Sequence, residues 1–158
     1  MDAEKRVEPA REVGDERELL DGWLDYYRAT VLHKCAGLSA EQLVALSCPP
    51  SPLSLIGVVR HLTEMERMYA HRIADPATPL LYCTDGGPDG DFEDIDPTDV
   101  DADLETFTEH CARSREIMAG LPLDGSLRWN YLYLIKEYAR HLGQADLLRE
   151  RIDGATGE

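Results

Sequence analysis

The sequence predicts an all-α protein, a four-helix bundle with a long acidic connection between its second and third helices. Three observations predict it. Four segments of about 20 residues repeat apolar side chains at threes and fours, the period of an amphipathic helix. No segment of strand length alternates apolar with polar residues. A breaker-containing acidic run separates the two helical pairs.

The first helix is expected from Glu16 to about Gly37, with Leu19, Leu20, Trp23, Leu24, Tyr27, Val31 and Leu32 on one side. Gly37 stops it. Ser39-Ala40-Glu41-Gln42 has the capping-box pattern, which starts a short helical turn. Cys48-Pro49-Pro50-Ser51-Pro52 is a breaker. The second helix runs from about Ser54, its N-cap, to Ala74. Its apolar row is Leu55, Val58 or Val59, Leu62, Met65, then Met68 or Tyr69, and Pro76 and Pro79 end it.

Residues 85–105 hold ten acids and no base, from Asp85 to Glu105. The first half reads as a long solvated loop and the second as the acidic opening turns of a helix. A calcium loop starting at Asp89 fails its template, because position six is Asp94 rather than Gly and position twelve is Val100 rather than Glu. The third helix follows from about Thr98 to Gly120, with Leu104, Phe107, Cys111 and Met118 inward. The break Leu121-Pro122-Leu123-Asp124-Gly125 leads into the fourth helix. That helix starts at Ser126 or Leu127 and ends near Ile152, with Tyr131, Leu134, Ile135, Tyr138, Leu142, Ala145 and Leu148 inward.

At 158 residues the chain makes one domain, expected over 15–154, with a flexible tail over 1–14 and a short one over 155–158. Hydrophobic residues make up 43% and charged residues 30%, the balance of a soluble globular protein. The net charge of −15 excludes a broad nucleic-acid footprint and disfavours an anionic membrane surface. No apolar run is long enough to span a bilayer, and no apolar stretch follows Met1-Asp2-Ala3-Glu4-Lys5-Arg6, so the expected location is cytoplasmic. Cys35, Cys48, Cys83 and Cys111 form no C-x-x-C pair and read as reduced thiols.

There is no nucleophile elbow, P-loop or dinucleotide fingerprint, which leaves metal chemistry as the main candidate. Glu137 and His141 are four apart, so they share one helix face. A third ligand must come from another helix. His61, mid-way along the second helix beside the apolar Leu62, is the best donor; His33, His71 and His110 lie nearer helix ends or on mixed faces. Two histidines and a carboxylate form a catalytic zinc set and equally hold iron(II), nickel or manganese. Spacing alone leaves a second reading open: Glu137 and His141 as a surface helix pair, with His61 at the core edge.

The segment Ser54-Leu55-Ile56-Gly57-Val58-Val59-Arg60-His61-Leu62, the segment Lys136 to Glu150 containing Glu137-Tyr138-Ala139-Arg140-His141-Leu142-Gly143-Gln144, and the tail Ile152 to Gly157 resemble the DinB/YfiT-like superfamily, in an actinobacterial branch. The resemblance implies a DinB-like bundle with one interhelical metal site, whose ligands fall on His61, Glu137 and His141. Glutamate at the middle ligand is similar to the mycothiol-dependent branch that includes maleylpyruvate isomerase. The resemblance therefore implies a metal-dependent thiol transferase or isomerase, which activates mycothiol or a similar thiol for attack on a small electrophile. It also implies a homodimer, for which Trp23, Tyr26 and Tyr27 offer an aromatic face that equally suits the core. The alternative within the family is a non-catalytic metal-containing protein for small-molecule binding or stress response. Gln144 resembles a pocket residue beside the ligands. Arg60, Arg128 and Arg140 are cations for an anionic group of the thiol or substrate, or ordinary helix-surface charges. The link from Leu121 to Ser126 is shorter than in relatives, which bears on substrate choice if that link lines the pocket.

Overall fold

The computed structural model describes residues 6–12, 14–84, 87 and 89–157. Residues 1–5 and 13 of the expected N-terminal tail, Asp85 of the acidic run and Glu158 of the C-terminal tail lie outside the described residues. The elements are α1 (Glu16–Cys35), α2 (Ala40–Leu43), α3 (Leu55–Glu66), a π-helical turn (Arg67–His71), α4 (Arg72–Ala74), a 3₁₀ turn (Pro97–Asp99), α5 (Val100–Ala119) and α6 (Gly125–Asp153). Among the described residues the protein is helical with no strand; α1, α3, α5 and α6 are the long helices of an all-α bundle.

Local chemistry sets the helix ends. Asp15 caps α1 by accepting the N–H groups of Arg17 and Glu18, which would otherwise lack intrahelical partners. Ser39 and Gln42 form the reciprocal capping box of α2. Ser54 caps α3 through Gly57, and Asp124 caps α6 through Leu127. Gly154, at φ +79°, closes α6 in the left-handed conformation that favours glycine.

α3 is the central helix. It packs against α5 on one side and α6 on the other, and α6 in turn packs along α1. From Leu55 to Glu66 every α3 residue is buried except His61, which is intermediate. The expected inward row of α6 is buried apart from the half-buried Ile135. Each fully buried Leu there contributes about 1.5–3 kcal/mol relative to exposure.

The structure departs from the sequence reading at three places. The second helix is not α-helical throughout, because its register loosens into a π turn at Arg67–His71. Such turns insert a residue without breaking the helix. Here Arg67 remains buried and donates to the Pro79 carbonyl from two of its guanidinium nitrogens, which ties the start of the acidic connection back to the helix. Second, the connection is not simply solvated. Asp91 and Asp103 are buried, because each has acquired a partner: Asp91 bonds His61, and Asp103 receives Arg60 Nε at 2.6 Å and the Tyr82 hydroxyl at 2.8 Å. Third, Tyr26, which the expected inward row of α1 omitted, is buried, whereas Trp23 and Tyr27, which that row included, are half-buried; the three rings pack together within the chain.

Two glycines allow the connection to close on α3. A Cβ on Gly57 would meet Phe92 Cδ1 at 3.0 Å and Ile95 Cδ1 at 3.4 Å, and a Cβ on Gly90 would collide with the Tyr82 carbonyl. Glu64 completes the attachment. Its Oε1 accepts the backbone N–H groups of Leu81, Tyr82 and Cys83 at 2.8, 2.5 and 3.0 Å. Asp91 is thereby brought back over a helix 30 residues earlier in the chain.

Candidate metal centre

His61 projects from the middle of α3, and Glu137 and His141 from successive turns of α6. Packing of α3 on α6 brings all three together, with one donor atom from each lying within 4.8 Å of the others. His61 Nε2 is 3.9 Å from Glu137 Oε2, and His141 Nε2 is 3.4 Å from the same oxygen. Ligand atoms around one ion sit about 2 Å from it, so this spacing is close to what a shared ion requires. The surface-pair reading of Glu137 and His141 does not describe them, since both side chains are more than nine-tenths buried.

The donor states suit a cation. His61 Nδ1 lies 2.7 Å from Asp91 Oδ2. A carboxylate accepts, so Nδ1 carries the hydrogen and Nε2 presents its lone pair to the triad. That Nε2 is buried and has no hydrogen-bond partner, an arrangement that costs free energy unless something fills the coordination position. The carboxylate–histidine arrangement is the usual support behind a metal-ligating imidazole. Burial pushes the Glu137 carboxyl up, but the hydrogen bond and charge of Lys136, with His141 adding, bring it below the usual carboxylate range. Burial, then the neighbouring His61, lower the His141 imidazole and favour its neutral, ligating form. A two-histidine, one-glutamate group with these states fits a divalent metal.

The other sequence candidates are distributed as follows. Gln144 lies one turn beyond His141, and its Oε1, like His141 Nδ1, is buried without a hydrogen-bond partner. Arg140 is exposed next to His141. Arg60 is buried and paired with Asp103, its guanidinium 4.9 Å over the Tyr82 ring, so it is not a helix-surface charge. Arg128 bonds both carboxylate oxygens of Glu16 at 2.6 and 2.9 Å, and nine residues of α6 place it roughly 13 Å along the axis from Glu137. The short link before α6 lies farther down the same end, where Arg17 holds the carbonyls of Met118 and Leu121. His33 is exposed at the end of α1, and His71 and His110 meet each other and Arg67 away from the triad.

Asp91 is the residue that sequence reasoning passed over. It is one of ten acids in the run, and nothing local distinguishes it except its neighbour Phe92, whose ring stacks on His61 at 5.3 Å. Asp91→Asn is expected to lower metal affinity roughly 10–100-fold while leaving the fold intact. Competition titration against a chromophoric chelator checks this, and an unchanged affinity would dismiss Asp91 as a support for His61.

The all-helical bundle with a histidine–glutamate–histidine group between α3 and α6 fits a DinB-like protein. Residues 19–154 match the family model described as mycothiol-S-transferase, and the chain belongs to that family. No curated protein and no solved structure gives a significant match to the chain.

Proposed function

We propose that this protein is a mycothiol-dependent S-transferase in which His61, Glu137 and His141 hold a divalent metal, zinc in the first instance. Nickel, iron or manganese suit the same donor set. The observation that carries the reading is the convergence of these three donors inside a chain of the mycothiol-S-transferase family. When bound, the metal supplies a Lewis acid that favours the thiolate form of a thiol at neutral pH. The protein's own part is preparation. Asp91 fixes the His61 tautomer, and burial favours the neutral form of His141. Lys136 holds Glu137 Oε1 at 2.7 Å, which leaves Oε2 toward the histidines. The Phe92 ring stacks on one face of His61. The thiolate sulfur would then attack an electrophilic carbon of a small second substrate, either displacing a leaving group that departs with its bonding pair and takes up the thiol's proton, or adding to an activated double bond whose other end takes up that proton.

The same reading places the protein in the cytoplasm, pairing with a second copy of itself. Its four cysteines are all free, as a reducing compartment requires, and among the described residues no helix is long and apolar enough to cross a membrane. The test is thiol-dependent consumption of electrophiles by metal-loaded protein, across a panel of electrophiles with mycothiol, glutathione and cysteine as thiols. Turnover with mycothiol that disappears in His141→Ala is the expected result. A metal-loaded protein that consumes no electrophile with any thiol would overturn the reading.

A further inference from the structure

Two buried polar atoms beside the triad have no hydrogen-bond partner among the described residues: Nδ1 of His141 and Oε1 of Gln144. The two residues stand three apart on α6, so their side chains are neighbours on one helix face. His141 turns its other nitrogen to the triad, with Nε2 3.4 Å from Glu137 Oε2. Nδ1 is therefore the nitrogen left for Gln144. The side chain of Gln144 also acts on the ring with the sign of an acceptor. Burial, then His61, lower the His141 imidazole, whereas Gln144 raises it.

The chemistry of the two atoms decides how they pair. An amide oxygen only accepts, whereas a neutral imidazole carries one hydrogen, on either of its nitrogens. With the hydrogen on Nε2, Nδ1 and Oε1 are two acceptors and neither satisfies the other. With the hydrogen on Nδ1, one donor meets one acceptor and the cost of two unpaired buried atoms is removed. The terminal torsion of a glutamine is soft, so the amide turns onto Nδ1 without a change of backbone. Glu137 acts in the opposite sense. Its Oε2 faces Nε2 and favours the hydrogen there, which would block that nitrogen as a ligand.

We propose that Gln144 is a positioning residue for His141: its Oε1 accepts the Nδ1 hydrogen and keeps the Nε2 lone pair turned toward Glu137. Gln144 thus does for His141 what Asp91 does for His61. The two supports come from different elements, α6 and the acidic connection, and both histidines then present Nε2 lone pairs toward the same oxygen of Glu137. An amide is neutral, so it orients His141 without setting a further carboxylate beside Glu137. The inference rests on the metal-centre part of the S-transferase reading and adds what holds the second α6 donor in its ligating form.

The test reads the tautomer directly, by long-range proton–nitrogen correlation of the histidine rings in the full chain, without metal and at a pH where the imidazoles are neutral. The spectrum of His141→Ala assigns the His141 signals. The Nδ1–H form is expected in the parent protein. Gln144→Met keeps the side-chain length and loses the acceptor, and the Nε2–H form is expected there. Gln144→Glu restores an acceptor and is expected to return the Nδ1–H form. Zinc affinity, from competition with a chromophoric chelator, is expected to fall roughly 10–100-fold in Gln144→Met and to be kept in Gln144→Glu, a rescue that a space-filling role would not give. An Nε2–H form in the parent protein overturns the proposal, and so does a folded Gln144→Met protein that keeps either the parent tautomer or the parent zinc affinity. Should Gln144→Met fail to fold, Gln144→Lys takes its place: it offers donors only, and an Nδ1–H form in that variant overturns the proposal. The two readings fail separately, because the tautomer is read without metal, thiol or electrophile. The expected tautomers in a protein that turns over no thiol support Gln144 and refute the S-transferase alone, whereas thiol turnover by a parent protein in the Nε2–H form refutes the role of Gln144 alone.

Discussion

Purified without chelator or affinity metal, the protein is expected to carry about one divalent ion per chain, and Glu137→Ala to carry none. The effect is large because Glu137 Oε2 faces both histidines, at 3.9 and 3.4 Å. Without it two neutral imidazoles remain, with no negative charge to offset that of the ion. His61→Ala is expected to behave the same way, since it removes the only donor contributed by α3. Metal content by mass spectrometry, with circular dichroism to confirm that each variant is folded, checks both. Retention of stoichiometric metal in a folded Glu137→Ala protein would remove this carboxylate from the ligand set. A parent protein that takes up no zinc even when zinc is supplied would remove the site. The α3–α6 contact would then have to be read as packing alone.

The largest loss of stability is expected from Glu66→Leu. Glu66 is fully buried in the middle of the bundle and accepts both arms of the Arg28 guanidinium, each at 2.9 Å. It also accepts the Tyr138 hydroxyl at 2.6 Å. Burial pushes the Glu66 carboxyl up, but the charge and hydrogen bond of Arg28 outweigh it and the carboxyl lies below its ordinary value. Leucine leaves the buried Arg28 with only the half-exposed Asp25 as a partner, and breaking a buried pair in this way costs about 3–5 kcal/mol. For a chain of this size that lowers the melting temperature by roughly 6–20 °C. The double variant Arg28→Met with Glu66→Leu is expected to recover most of the loss, because it removes the charge that the single change strands. Thermal unfolding of the three proteins under identical conditions checks the pattern. A double variant no more stable than the single one would show that the pair contributes through geometry that apolar side chains do not replace.

The fold was legible because helices are written locally. Caps at Ser39 and Ser54 and the rows on α1, α5 and α6 depend on neighbours three and four residues away, and that spacing is visible in any single helix. The half-site Glu137–His141 was legible for the same reason. Its completion by His61 needed more than periodicity: the choice rested on position along the second helix and on the resemblance to relatives. The arginines were the least legible group. A guanidinium shows nothing in sequence of whether it faces solvent, substrate or another helix, and Arg60 and Arg128 proved to be held by Asp103 and Glu16, which are 43 and 112 residues away.

The sequence by itself determined the helices, their order, and the two α6 donors one turn apart. Only the tertiary structure decided what surrounds them. It placed Asp91 against His61, attached the acidic connection to Glu64, and buried Glu64 Oε2 without a hydrogen-bond partner. The physical reason is the range of the interactions. Helix periodicity and capping act over one turn, so a short window of sequence contains them. A carboxylate in a loop is solvated or buried according to which partners the packing of distant elements delivers, and ten similar acids in one run carry no local mark of which will find one.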